Sequence, residues 1–169
     1  NTRILIVDDN PDIHKDIRKI LLAQTTGEDD DELKRMEEAF FEKPSTAPSP
    51  AWGKTPYMLT SAFQGADAVA LVSEQLKKGL PFAVAIVDAR MPPGIDGIET
   101  ISRMWEIDPN LEVVLCTAFT DYSWQDIASK IGISDQLLFL RKPYDVVEIQ
   151  QLALSLTQKW NLGRLNHMY

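Results

Sequence analysis

Cysteine and histidine are nearly missing from this 169-residue chain, which has one of the first and two of the second. A lone Cys116 forms no internal disulfide, and His14 and His167 have no partner at metal-ligand spacing, so a disulfide scaffold and a zinc site are both disfavoured. No apolar run reaches 18 residues and no charged-then-apolar leader precedes the first strand, so the expected location is a reducing cytoplasm rather than a membrane or the cell exterior. Positive charge is scarce. Seventeen Lys and Arg face 25 Asp and Glu, a formal charge of -8 that opposes binding to nucleic acid or an anionic bilayer. No Gly-rich loop of either nucleotide-binding type occurs, which argues against ATP and NAD. What remains is ordinary for a globular chain: 44% apolar and 25% charged residues, enough for one domain with a real core. The chain begins with Asn and ends inside a helical pattern, so a piece of something longer is expected, with residues 161–169 leading toward an output domain.

Arg3-Ile-Leu-Ile-Val is a short β-branched run ending at Asp8-Asp9, the pattern of a strand buried on both faces. Similar runs go from Phe82 to Val87 before Asp88, from Leu111 to Cys116 before Thr117, and from Leu137 to Leu140 shortly before Lys142. A more mixed strand covers Tyr57 to Phe63. Between them apolar residues recur at helical spacing: Ile13, Ile17, Ile20 and Leu21; Val69, Val72 and Leu76; Ile98, Ile101 and Trp105; Trp124, Ile127, Ala128 and Ile131; Ile149, Leu152, Ala153, Leu156 and Trp160. Five strands alternating with five helices predict an α/β fold, a doubly wound parallel sheet with helices on both faces. One stretch breaks the rhythm, because α-to-β connections usually span ~2–6 residues whereas about thirty separate the first helix from the second strand. This insertion, about 24–56, holds eight acidic and four basic side chains and then four prolines, an acidic helix over 29–43 followed by an extended linker.

In an open parallel sheet, ligands bind beyond the carboxyl ends of the strands. The residues ending the predicted strands are Asp8, Asp9, Asp88, Thr117 and Lys142. Three carboxylates at one edge repel one another unless a cation lies between them, and an all-oxygen set selects a hard ion such as Mg²⁺. Lys142 and the Thr117 hydroxyl add a cation and a donor suited to the oxygens of a phosphoryl group carried on a carboxylate. Taken singly, each residue has an ordinary explanation: an Asp after a strand caps a helix or forms a turn, and a Lys is a solvated charge. Their joint occurrence at strand ends is what points to phosphoryl chemistry. His14, alone on the first helix, is expected to be structural, at the surface or in a cap. Cys116 is expected to be a small buried hydrophobe.

The segments Ile4-Leu-Ile-Val-Asp-Asp-Asn-Pro, Val87-Asp-Ala-Arg-Met-Pro-Pro-Gly-Ile-Asp-Gly, Cys116-Thr-Ala and Arg141-Lys-Pro together resemble the receiver domain of bacterial two-component response regulators. The resemblance covers residues 1–160 apart from the insertion. It implies a flavodoxin-like sheet of strand order 2-1-3-4-5. It also implies that Asp88 accepts phosphate from a phosphohistidine, that Mg²⁺ is bound by Asp9 and Asp88 directly, by Asp8 largely through water and by the Arg90 backbone carbonyl, and that Thr117 and Lys142 hold the phosphoryl oxygens. Pro143 would follow a cis peptide bond. Phe139, three residues before Lys142, would be the aromatic partner of Thr117 in a two-state switch. Partners would be a histidine kinase or phosphotransfer protein, with a possible homodimer through the last two helices and strand. Arg90 and Phe119 would overhang the phosphoryl group and slow its hydrolysis.

Besides the insertion, the chain departs from the family by an extra residue in the loop Met91–Gly97. Two other functions share parts of the pattern. A phosphatase or phosphotransferase working through an aspartyl phosphate generally needs a second acid two residues after its nucleophile, where this chain has Arg90. A pseudo-receiver that only binds partners has no need of all five site residues.

Overall fold

A computed structural model describes residues 1–26, 57–118, 123–132 and 134–167. The inserted segment expected at 24–56 lies almost wholly outside the described residues, as does Phe119. Five strands form, β1 (Arg3–Val7), β2 (Met58–Ala62), β3 (Val84–Asp88), β4 (Glu112–Thr117) and β5 (Leu137–Arg141). They alternate with α1 (Pro11–Thr26), α2 (Gly65–Lys77), α3 (Gly97–Ile107), α4 (Trp124–Ile131) and α5 (Val146–His167). The strands make one parallel sheet in the order β2-β1-β3-β4-β5, as expected.

Strand alternation sorts the side chains into two cores. Leu5, Val7, Ala85, Val87, Val113 and Leu115 pack with Val72, Ile101, Met104 and Ile127 of α2, α3 and α4. Ile4, Ile6, Val84, Ile86, Val114 and Cys116 pack on the other face with Ile17 and Leu21 of α1 and Ile149, Ala153, Leu156 and Trp160 of α5. Burial on both faces is the reason β1, β3 and β4 read as largely apolar runs, while the edge strand β2 reads as mixed. Two helices, α3 and α4, start where side-chain caps are supplied. Asp96 accepts from the Glu99 backbone N–H at the head of α3, and Ser123 and Asp126 form a reciprocal capping box at the head of α4.

One charge sits inside an apolar run. Glu112 opens β4 and is buried, with Lys159 of α5 3.2 Å from its Oε2; Lys159 also donates to the Asp135 backbone carbonyl. Burial raises the Glu112 carboxyl above its usual range and the Lys159 ammonium opposes that rise. The pair ties α5 to the sheet at the edge away from the strand-end carboxylates. Core contacts of α5 run as far as Trp160, and Leu162 is already exposed.

Gly97 packs directly against neighbouring backbone. A Cβ there would overlap the Asp88 carbonyl oxygen and lie 2.9 Å from the Ala89 Cα, and its N–H donates to the Ala89 carbonyl at 2.9 Å. Because both obstacles are backbone, neither can swing away. Gly97→Ala should therefore destabilise the protein by about 2 kcal/mol or more, as forced overpacking does. Gly163→Ala, in α5 with open space around it, should stabilise by roughly 0.5–1 kcal/mol from helix propensity. Urea unfolding of the two variants beside wild type measures both signs.

Candidate functional site

The sheet register brings the strand-end residues level. Ile6 pairs with Ile86 and Val7 with Val87, so Asp8, one residue past β1, lies beside Asp88 at the end of β3. Asp88 in turn pairs with Cys116, which puts Thr117 one step further along β4, opposite Arg141. Strand alternation continued through these ends directs Asp8, Asp88 and Lys142 toward the α1 and α5 side. β1 and β3 are also where the strand order reverses, and the two connections leave in opposite directions to open a crevice.

Oxygen atoms of Asp8, Asp9 and Asp88 all lie within 4.8 Å of one another. Asp8 is buried, Asp88 half-buried and Asp9 exposed. The Lys142 ammonium reaches into this group, 3.1 Å from Asp88 Oδ1 and 3.4 Å from Asp8 Oδ2. Burial raises the Asp8 carboxyl above its usual range and the neighbouring Asp88 charge adds to that. The Asn10 backbone N–H, which donates to Asp8 Oδ1 at 2.9 Å, and Lys142 oppose the rise. Burial alone would lower the Lys142 ammonium, but the attraction of Asp8 and Asp88 outweighs it and holds the lysine above its usual value. Three carboxylates carry three negative charges, Lys142 supplies one positive charge, and one divalent cation would balance the other two. An all-oxygen donor set of this kind fits a hard divalent ion.

The Lys142 backbone N–H donates to the Thr117 carbonyl at 2.9 Å, and Thr117 is buried. The Lys142–Pro143 peptide bond is cis, as the resemblance implied, and so is Pro92–Pro93. Cys116 is the buried hydrophobe expected, its thiol pushed up to about 12 by burial. Phe139 is partly buried against the core beneath α2, α3 and α4.

The loop with the extra residue is anchored at both ends. Met91 is fully buried, Gly97 returns to Ala89, and Pro92, Pro93 and Gly94 stand exposed between them. The additional residue is thus absorbed at an exposed tip. Arg90 is exposed.

His14 differs from expectation. It is buried, at 3% exposure, rather than at the surface, with its Nε2 2.7 Å from the Asp8 backbone oxygen and its Nδ1 3.0 Å from Ser61 Oγ. Sequence spacing gave no hint of this, because its partners are a main-chain oxygen and a residue of β2. Tyr144 likewise carries no signal in its spacing. It packs against the second core, and burial first, then the Cys116 thiol and nearby carboxylates including Asp8 and Asp88, raise its phenol far above the usual value.

A family model described as the response regulator receiver domain matches residues 53–154, more than half of the chain. The chain belongs to that family, and its function is phosphoacceptor signalling as a receiver domain. The matched segment starts at residue 53, near the end of the insertion, so β1 and its acidic pair lie outside it; pairing of β1 between β2 and β3 returns them to the site. Among curated proteins, the chain is 28% identical over 99 residues to sporulation initiation phosphotransferase F of Bacillus subtilis, covering 59% of this chain and 73% of that one. It is 34% identical over 103 residues to the response regulator receiver protein CpdR of Brucella abortus, covering 61% and 68%. It is also 31% identical over 100 residues to the transcriptional regulatory protein ZraR of Salmonella typhimurium, but spans only 20% of that protein's length and 59% of this chain. Solved structures share the fold, among them the following two. A receiver domain protein described as CheY-like, from Methanospirillum hungatei, has TM-score 0.63 and 16% identity, covering 96% of this chain and 98% of the other. A structure described as adenylate cyclase from Rhodopirellula baltica has TM-score 0.67 and 23% identity, covering 99% and 96%. No described helix is long and apolar enough to cross a membrane.

The crowded carboxylates predict a stability effect with a definite sign. A carboxyl whose folded pKa is raised favours the protonated form in the folded state. Its contribution therefore opposes folding above that pKa and vanishes below it. Asp8→Asn removes the buried charge while keeping an oxygen for the Asn10 N–H. Without metal, the variant should be more stable at neutral pH by about 1 kcal/mol, or roughly 2–4 °C in melting temperature for a domain this size. The gap should close as pH falls through the raised Asp8 range. Thermal melts of both proteins from pH 7.5 to 4 in chelator measure it; a variant less stable at neutral pH contradicts the assigned repulsion.

Proposed function

We propose that Asp88 is the phosphoacceptor, taking a phosphoryl group from a phosphohistidine of a histidine kinase or phosphotransfer protein. An Asp88 carboxylate oxygen forms the new O–P bond as the P–N bond to the donor imidazole breaks, and the donor nitrogen keeps the electron pair. The observation that carries this assignment is the Lys142 ammonium set between Asp88 and Asp8 at 3.1 and 3.4 Å, with three carboxylates gathered around one point. A cation fixed there by two ion pairs is placed to meet the oxygens of a phosphoryl group on Asp88 without reorganising. Thr117 contributes a hydroxyl from the end of the adjacent strand. Asp8, Asp9, Asp88 and the Arg90 carbonyl are the ligands proposed for Mg²⁺, which when bound supplies neutralising charge to the phosphoryl oxygens. Release of phosphate is slow in this scheme, because Arg90 provides neither a carboxylate nor an amide oxygen to orient a water; Phe119 is assigned the same part.

The receiver unit proposed is 1–160, and core contacts of α5 reach Trp160. Its only chemistry is its own phosphorylation and dephosphorylation. The cytoplasm is the proposed location, and this domain makes no contact with nucleic acid or membrane. The partner and dimer face assigned to it is the surface of α4, β5 and α5, where Leu138, Val146 and Val147 are exposed. A turnover phosphatase is less favoured, since an exposed Arg90 stands where such an enzyme places its second acid.

Asp88→Asn should abolish labelling by acetyl phosphate, because an amide is a poor nucleophile and brings no charge to the metal site. Labelling at the wild-type rate, read by phosphate-affinity electrophoresis, would reject the assignment. Asp9→Ala should weaken Mg²⁺ binding by roughly ten-fold or more, since even loss of an outer-shell partner costs ~10–100-fold. Calorimetric titration with Mg²⁺ tests this, and unchanged affinity contradicts the ligand set. Beryllofluoride with Mg²⁺ should change the ring environment of Phe139 as Thr117 is drawn inward; identical Phe139 resonances in both states would reject the switch.

A further inference from the structure

Asp8 is held from four directions. Its backbone N–H donates to the Ala62 carbonyl of β2 at 3.2 Å, its Oδ1 accepts from Asn10, and its Oδ2 faces Lys142. The fourth restraint falls on its carbonyl oxygen, 2.7 Å from His14 Nε2 inside the first turns of α1. A carbonyl only accepts, so Nε2 must carry the proton whatever the charge of the ring. The ring does not stop there. Its Nδ1 meets Ser61 Oγ at 3.0 Å, and the Arg18 guanidinium, which only donates, reaches the same Oγ at 2.8 Å. With the ring neutral, one chain of donors runs from Arg18 to Ser61, from the Ser61 hydroxyl to Nδ1, and from Nε2–H to the Asp8 carbonyl. Phe63 covers the imidazole with ring centroids 4.5 Å apart, so water does not readily compete for these bonds.

The carbonyl so fixed belongs to the peptide unit from which Asp9 departs. Asp9 is exposed, and no hydrogen bond to its carboxylate is found among the described residues, so the plane of the Asp8–Asp9 peptide is what aims it at the other two carboxylates. A leucine or phenylalanine would fill the same buried space. Neither would hold the peptide.

We infer that His14 is a positioning residue for the acidic pair, its Nε2–H clamping the Asp8 carbonyl and thereby setting the approach of Asp9 to the cation, with Ser61 and Arg18 locking the ring from β2 and α1. This deepens the phosphoacceptor assignment and rests on it for the identity of the cation.

The test uses the full chain and Mg²⁺ alone as probe. His14→Leu should remain folded by circular dichroism yet bind Mg²⁺ about ten-fold more weakly by calorimetry, in line with lost outer-shell support. His14→Gln, which keeps an N–H donor near the position of Nε2, should recover most of that affinity at whatever melting temperature it shows. Where His14→Leu does not fold, Ser61→Ala serves instead, and a several-fold weakening is expected from release of the ring. The bond itself is read independently of metal by two-bond ¹H–¹⁵N correlation, with only His14 and His167 to distinguish: a protonated Nε2 in His14 is required. A bare Nε2, or wild-type Mg²⁺ affinity in folded His14→Leu or, in its place, Ser61→Ala, overturns the inference. Failure of wild type itself to bind Mg²⁺ overturns the proposed metal site, and with it the role given to His14, while the ¹⁵N signature would still report the bond.

Discussion

Three carboxylates and one ammonium share a space less than 5 Å across at the end of the sheet, and this crowding governs the rest of the structure. Like charges this close cost several kcal/mol at the effective dielectric of a protein surface, and Lys142 offsets part of that. The site is therefore a local opposition to folding that the remainder of the domain must overcome. It does so with two apolar cores, one on each face of the sheet, whose central strands are buried almost completely. Repulsion that folding cannot relieve is what gives a divalent cation, or a phosphoryl group with one, something to relieve.

Parallel topology makes the convergence possible. Every strand points the same way, so each strand-end residue arrives at one edge, and the reversal of order between β1 and β3 leaves that edge open. The opposite edge receives the helix-to-strand connections. The chain leaves α1 at Thr26 and re-enters at Met58 on that far side, which is why a long insertion is compatible with the site. Glu112 and Lys159 sit at the same far edge and anchor α5 there, while its N-terminal half packs beside the strand ends.

Support for the site comes from elements distant in sequence. Lys142 follows β5, and its backbone N–H is held by Thr117 of β4. The peptide between the two adjacent aspartates is held by His14 of α1, which is held in turn from β2. Met91 and Gly97 pin the loop beyond Asp88, so its exposed prolines project away. A rigid frame is needed for charge to be preorganised, since flexible side chains would relax apart and the electrostatic advantage would be lost.

The alternation of apolar runs and helical stripes was enough to specify five strands, five helices and a doubly wound sheet, because strands buried on both faces cannot be written in other residues. Strand ends were legible too: Asp8, Asp88, Thr117 and Lys142 stand where apolar runs stop, and the order of motifs carried the family resemblance. What sequence could not carry is any contact whose partner is backbone or lies across the fold. His14 read as a surface or capping residue because a carbonyl acceptor leaves no trace in side-chain identity, and Glu112 read as part of an apolar run because its partner is 47 residues away. The extra residue in the 91–97 loop was visible but its path was not, being decided by the burial of Met91 and the close approach of Gly97 to Asp88. Residue type and spacing determined which groups the chain brings to the sheet edge; only tertiary packing decided how near they come and what holds them, because those distances are set by register and by helices crossing strands far away in the chain.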